Sequence, residues 1–262
     1  MTIPEMGLEF WLIAGIAVIF VGIAKAGFGG GVGAISTPLM ALLLPVAEAA
    51  ALLLPLMILA DQIAVYKYRG KSDKKTMWLT LPAAIIGIGI GWLVFDLFVS
   101  RERLMKIYIG IIALLFVTFQ LTRDYIFNQL DGVRPPNWTG ALLGTTAGFT
   151  STIAHVGGPP FQIYVIPQKL NRDIYVGTNA WFFWAVNLAK LIPFWFLGLL
   201  TVGNLTTTIL LIPFVILGVF IGVWLNQKVR QEVFNAIIYG IMIVTGTQLI
   251  LGVSLLGLLT QG

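Results

Sequence analysis

Most of this chain is written as apolar runs about as long as a bilayer is thick. A hydrocarbon core of about 30 Å asks for roughly 20 apolar residues per helix. Six stretches qualify: Ala49 to Tyr66, Met77 to Phe98, Ile107 to Leu121, Ile174 to Leu197, Thr206 to Leu225 and Phe234 to Leu259. Two other apolar runs, residues 10–44 and 138–168, are interrupted by Gly27-Phe28-Gly29-Gly30-Gly31 and by His155-Val156-Gly157-Gly158-Pro159-Pro160. As one straight helix the first would be about 52 Å long. Glycine clusters and Pro-Pro also release backbone groups that lipid cannot satisfy. Each run is therefore expected to be a broken helix, buried in protein or lining a wet cavity, or else a kinked one.

Composition agrees. Of 262 residues, 58% are apolar and only 10% charged, against about 25% charged in soluble domains. The absence of cysteine excludes disulfides, thiol nucleophiles and thiolate metal sites. His155 is the only histidine, so neither a metal site nor a cofactor is expected. The net charge of +5 comes from basic residues in short loops, a topology signal and not a nucleic-acid face. The N-terminal run has Glu5 and Glu9 where a signal peptide has basic residues. The Gly27 run has Val32 in place of the last glycine of a dinucleotide fingerprint.

Laying Gly30-Gly31 over Gly157-Gly158 shows the chain written twice. Each copy has a broken segment, a long helix with Asp61 or with Asn187 and Lys190, a helix marked Pro82, Gly87, Gly91 or Pro213, Gly218, Gly222, and a last helix with Gly110 or Gly240. The expected fold is an all-α integral membrane protein of two homologous, inverted repeats, each with a re-entrant broken helix and three spanning helices. The repeats cover residues 1–122 and 138–262, joined by a linker loop at 123–137. Gly87-x-x-x-Gly91 and Gly218-x-x-x-Gly222 predict close helix packing. If each broken segment enters and leaves on one side, the cytoplasm collects Lys67, Arg69, Lys71, Lys74, Lys75, Arg123, Arg134, Lys169, Arg172, Lys228 and Arg230, leaving Arg101, Arg103 and Lys106 outside. If each crosses once, the sides balance, and the positive-inside rule favours inversion. Both termini then face outward.

Broken helices that meet between inverted repeats are the usual binding site of a secondary transporter. Helix N-termini after Gly31 and Pro160 favour an anion, with Gly29, Gly30, Gly31, Gly157 and Gly158 shaping the breaks. Four ionisable groups fall inside the apolar runs: Lys25, Asp61, His155 and Lys190. Such groups are functional candidates by default. Asp61 could instead pair with Lys190 or Lys25, Lys25 could snorkel, and His155 could bond to backbone. Lys25, His155 and Lys190 are assigned to anion binding, and His155 and Asp61 to proton coupling. Thr150, Ser151, Thr152, Asn179 and Asn187 complete the expected site, with Gln162, Trp181 and Trp184 near it. Trp11, Trp78, Trp138 and Trp195 read as interfacial anchors.

These residues also carry a resemblance. The Gly27 break with Thr37-Pro38, Leu52-Leu53-Leu54-Pro55 before Asp61, and Ser151-Thr152-Ile153-Ala154-His155-Val156-Gly157-Gly158-Pro159-Pro160 resemble the TauE/SafE sulfite exporter family over nearly the whole chain. The resemblance implies a carrier of small sulfur-containing anions such as sulfite and C2 sulfonates, sometimes other organic acids. Thiosulfate-importing relatives depend on cysteines, which this chain lacks. The expected protein is a multi-pass exporter of sulfite or an organosulfonate such as sulfoacetate in the bacterial inner membrane, proton-coupled, with lipids and the anion as partners. A small-anion channel and an uptake carrier are the alternatives. A membrane enzyme lacks a nucleophile–base set. The oligomeric state is open, with a homodimer as one option. The loop charges predict that cysteines introduced at Ser72 and Gln227 are labelled from the same, cytoplasmic side; labelling from opposite sides overturns the inversion.

Overall fold

The computed structural model describes residues 7–25, 32–129, 135–228 and 231–253. These are helices α1 (Leu8–Lys25), α2 (Ser36–Ala41), α3 (Val46–Lys67), α4 (Lys74–Phe98), α5 (Glu102–Gln129), α6 (Asn137–Ala154), α7 (Gly158–Val165), α8 (Arg172–Phe196), α9 (Val202–Lys228) and α10 (Gln231–Leu251), with 3-10 turns at Val32–Ile35 and Ile166–Gln168. No strand occurs among the described residues. Helices α3, α4, α5 and α9 are long and apolar enough to cross a membrane; Phe10–Ile23 and Asn235–Leu251 form shorter apolar helices. Trp78, Trp138 and Trp195 sit at helix ends and are exposed, as interfacial anchors require.

One expected boundary is corrected. Helix α5 continues to Gln129, so residues 123–129 of the expected linker are helical, with Arg123 over the Phe127 ring at 5.6 Å. Helix α10 spans Gln231–Leu251, and residues 254–259 of the last apolar run lie outside the described residues. Gly252 takes a left-handed φ of 74°, the usual helix stop, and the Arg103 guanidinium donates to the carbonyls of Leu249 and Ile250.

Of the two expected breaks, the second lies within the described residues. The Gly27–Gly31 stretch lies outside the described residues, with helix before it and a 3-10 turn after it. At the second break, α6 ends at Ala154 and α7 begins at Gly158. The chain then doubles back beside α6: a side chain at Gly140 would meet the Tyr164 ring, and Thr76 Oγ1 donates to Gln168 Oε1 at 3.1 Å. The α6–α7 segment thus returns to the end of the bundle where α6 started.

Interhelical contacts give the helix directions. Helix α3 runs antiparallel to α8, since Ala50, Ala51 and Leu54 pack on Phe194, Asp61 meets Asn187 and Lys71 meets Asp173. Helix α5 runs antiparallel to α10, Arg103 reaching Ile250 and Gly110 facing Gly246. Helix α4 is parallel to α6, Thr80 against Gly144 and Gly91 against Thr152. Helix α1 is parallel to α9, Gly15 against Phe214 and Gly22 against Val219. Both parallel pairs use glycine faces, as the antiparallel α5–α10 pair does at Gly110 and Gly246. A β-carbon on Gly87 would overlap the Thr145 carbonyl, one on Gly148 the Ala84 carbonyl, and one on Gly218 the Ile19 carbonyl.

At one end the α3–α4 loop clasps α8. Lys71 pairs with Asp173 at 2.6 Å, the Asp73 N–H donates to Thr178 Oγ1 at 2.8 Å, and Gly177 admits the Lys71 carbonyl. The mutual hydrogen bond lowers the Asp173 carboxyl below its ordinary value and raises the Lys71 ammonium above its own. A depressed acid contributes above its unfolded value and is lost as pH falls through its folded value; a raised lysine contributes until pH rises through its own. The pair is therefore intact throughout the neutral range. In an NMR titration Asp173 should ionise below the ordinary carboxylate midpoint, and Lys71→Gln should return it upward; an unchanged midpoint overturns the pairing.

Packing supplies a second prediction. Gly87→Ala and Gly148→Ala should each cost about 1–3 kcal/mol by overpacking, whereas Gly89, with nothing within 4 Å of a built β-carbon, should accept Ala at no cost. Thermal unfolding in detergent measures the difference, and equal midpoints for all three variants would refute the close packing.

Candidate functional site

The site is built where the second break meets α8 and the start of α3. Helix α6 ends because His155 adopts a left-handed φ of 55°, a conformation that usually belongs to glycine or asparagine. Its N–H still donates to the Ser151 carbonyl at 3.1 Å. Holding a bulky residue there costs of order 1 kcal/mol, and the imidazole is fastened on both sides. Nδ1 lies 2.7 Å from Lys190 Nζ and Nε2 lies 3.0 Å from the Ala50 carbonyl. An ammonium only donates, so beside a charged Lys190 the Nδ1 atom accepts, and the ring proton sits on Nε2 and is donated to Ala50. This geometry describes a neutral imidazole beside a charged lysine.

Lys190 has 0% of its surface exposed. Besides His155 it donates to the Ser151 carbonyl at 3.0 Å and to Ser151 Oγ at 3.1 Å. A buried ammonium needs such partners to offset its desolvation. One turn earlier on the same face of α8, Asn187 donates from its amide to the Asp61 carboxylate at 2.7 Å, and both residues are buried. The i, i+3 spacing of Asn187 and Lys190 puts the two polar contacts about 4.5 Å apart along the axis.

Among the expected site residues, Ser151, His155, Asn187, Lys190 and Asp61 are thus brought to one interface of α3, α6 and α8. Gly157 belongs to it for a steric reason: a β-carbon there would meet the Ala147 carbonyl at 2.7 Å and the Ser151 β-carbon at 3.1 Å. Gly158 opens α7. Pro159 and Pro160 follow it in the first turn, where their missing N–H groups cost nothing. Three expected residues direct their donors elsewhere. The Thr150 hydroxyl donates to the Thr146 carbonyl, Thr152 to Gly148, and the Asn179 amide to Tyr175, each within its own helix. The side chain of Lys25 and all of Gly29, Gly30 and Gly31 lie outside the described residues.

Sequence reasoning missed the Ala50 carbonyl, which no side-chain pattern could signal. The contact of the Asn187 amide with Asp61 was not foreseen either. Gln162 on α7 was only a neighbour in that reading, yet it is 5% exposed and its Oε1 has no partner among the described residues. The family model for the sulfite exporter TauE/SafE matches residues 14–249, a span that takes in every residue of this site. The chain belongs to the TauE/SafE family. Searches of curated proteins and of solved structures gave no match. Membership makes this a multi-pass membrane chain of a transporter family.

Asn187→Leu should leave the Asp61 carboxylate short of a charged-group hydrogen bond and cost about 1.5–3 kcal/mol, read as a fall in the thermal midpoint. An unchanged midpoint would show that Asp61 does not depend on Asn187.

Proposed function

We propose that this TauE/SafE chain exports a small sulfur-containing anion, sulfite or an organosulfonate such as sulfoacetate, across the bacterial inner membrane by alternating access coupled to proton movement. The observation that carries the reading is Lys190, an ammonium on α8 with no exposed surface, placed against the broken α6–α7 segment. Only a partner of opposite charge or a dense set of acceptors makes such a group worth burying, and a transported anion adds that charge when it arrives. Family membership supports the anion class.

The helix directions support inversion of the two halves. Helices α3 and α8 hold matching places in the two copies, and so do α5 and α10; each of these pairs runs antiparallel. Two-fold exchange also accounts for the parallel contacts, α4 on α6 in one direction and α9 on α1 in the other. Halves related in this way can rock about a fixed central site.

Coupling follows from the Lys190–His155 contact. A second proton on the imidazole would set two donors face to face across 2.7 Å, so proton uptake by His155 and release of Lys190 are one event. Asp61 sits beside this pair through Asn187 and holds the opposite charge. In proteoliposomes, Lys190→Gln should weaken sulfite binding more than tenfold, the typical cost of removing a charge buried with its ligand. Unchanged affinity makes Lys190 a scaffold charge. His155→Gln should retain binding and flatten the pH dependence of the initial rate, and Asp61→Asn should impair transport at every pH. The opposite pattern reverses the two assignments.

A further inference from the structure

The second turn of α7 carries a polar group that the anion reading has not used. Gln162 is 5% exposed and its Oε1 is buried with no partner among the described residues. Buried acceptors are almost always satisfied, so an orphan beside a break points to a missing donor. Its direction follows from the helix: Gln162 stands four residues beyond Gly158 on the same face, and a long helical side chain leans toward the N-terminus of its own helix. Phe161, Tyr164 and Val165 of α7 fill the apolar cluster with Phe182 and Val186. The amide therefore leans toward the break that His155, Gly157 and Gly158 form.

The donors at this break are limited. Pro159 and Pro160 have no N–H, which leaves the Gly157 and Gly158 backbone at the start of α7 to face oxyanion oxygens, with the Lys190 ammonium beside them engaged on Ser151 and His155. Gln162 Oε1 adds an acceptor to that set. Against a fully deprotonated oxyanion it would set lone pair against lone pair, whereas against an acidic O–H it makes a hydrogen bond. We infer that Gln162 is a specificity-determining residue that selects the singly protonated form of the oxyanion, hydrogensulfite over sulfite dianion, by accepting its O–H. The inference rests on the anion-export reading and deepens it. A monoanion that carries its own proton moves that proton with it, so part of the coupling belongs to the substrate and needs no titrating side chain.

Methanesulfinate has the charge and pyramidal shape of hydrogensulfite with a methyl group in place of the O–H, which makes it the discriminating probe. Competition against radiolabelled sulfite at one fixed pH, on the full chain in nanodiscs, measures both anions. Wild type should prefer hydrogensulfite about tenfold, equivalent to ~1.4 kcal/mol. Gln162→Leu, and the unbranched Gln162→Met should Leu pack badly, should bring the two anions to equal affinity without lowering the unfolding temperature, because an orphaned acceptor is removed. Discrimination that survives in both variants, or a wild type that binds both anions equally while Lys190→Gln loses both, overturns the role of Gln162 and leaves the anion reading standing. A wild type that binds neither anion overturns the anion reading itself.

Discussion

The ammonium of Lys190 ties together three parts of the chain that are far apart in sequence. Its bonds to Ser151 and His155 hold α8 against the end of α6, and the imidazole carries the link on to Ala50 near the start of α3. Lys190 and Ser151 are buried, so the contact between them is worth more than its surface equivalent and a vacancy there costs more. The left-handed backbone at His155 is tolerable because both ring nitrogens are engaged. The reversal that separates α6 from α7 thus rests on the same contacts that form the candidate site.

Around this centre the helices are held by shape. Lipid supplies no hydrophobic drive between helices, so association depends on close backbone approach at small residues. Gly87 and Gly148 join α4 to α6, and Gly22 and Gly218 join α1 to α9. Each pair takes one helix from either half of the chain, so neither half is a separate unit of packing. A rearrangement that exposes the site to alternate sides would carry these pairs as rigid pieces. The loop between α3 and α4, pinned to α8 through Lys71, Asp73 and Gly177, closes one end of the bundle.

Charge at the site is balanced locally. Asn187 engages the Asp61 carboxylate and, about one turn further along α8, Lys190 engages His155. These are the contacts that an arriving anion or proton would exchange. The orphaned oxygen of Gln162 sits on the returning arm of the same break.

Much of this was legible in the chain itself. Apolar length determined the all-helical membrane class, because lipid permits little else. The Gly-Gly-Pro-Pro run determined a break at His155, since two prolines and two glycines cannot continue a membrane helix. The paired Gly-x-x-x-Gly spacings determined which helices would pack closely, and a lysine within an apolar run marked a site, because such a charge is too costly to place idly. Tertiary structure decided the partners. Which carbonyl the imidazole faces, whether Asn187 serves a ligand or Asp61, and where the hydroxyls of Thr150 and Thr152 are directed depend on rotation and depth of helices against one another. A backbone carbonyl such as that of Ala50 is present at every position of a sequence and becomes specific only when the fold brings a donor to it.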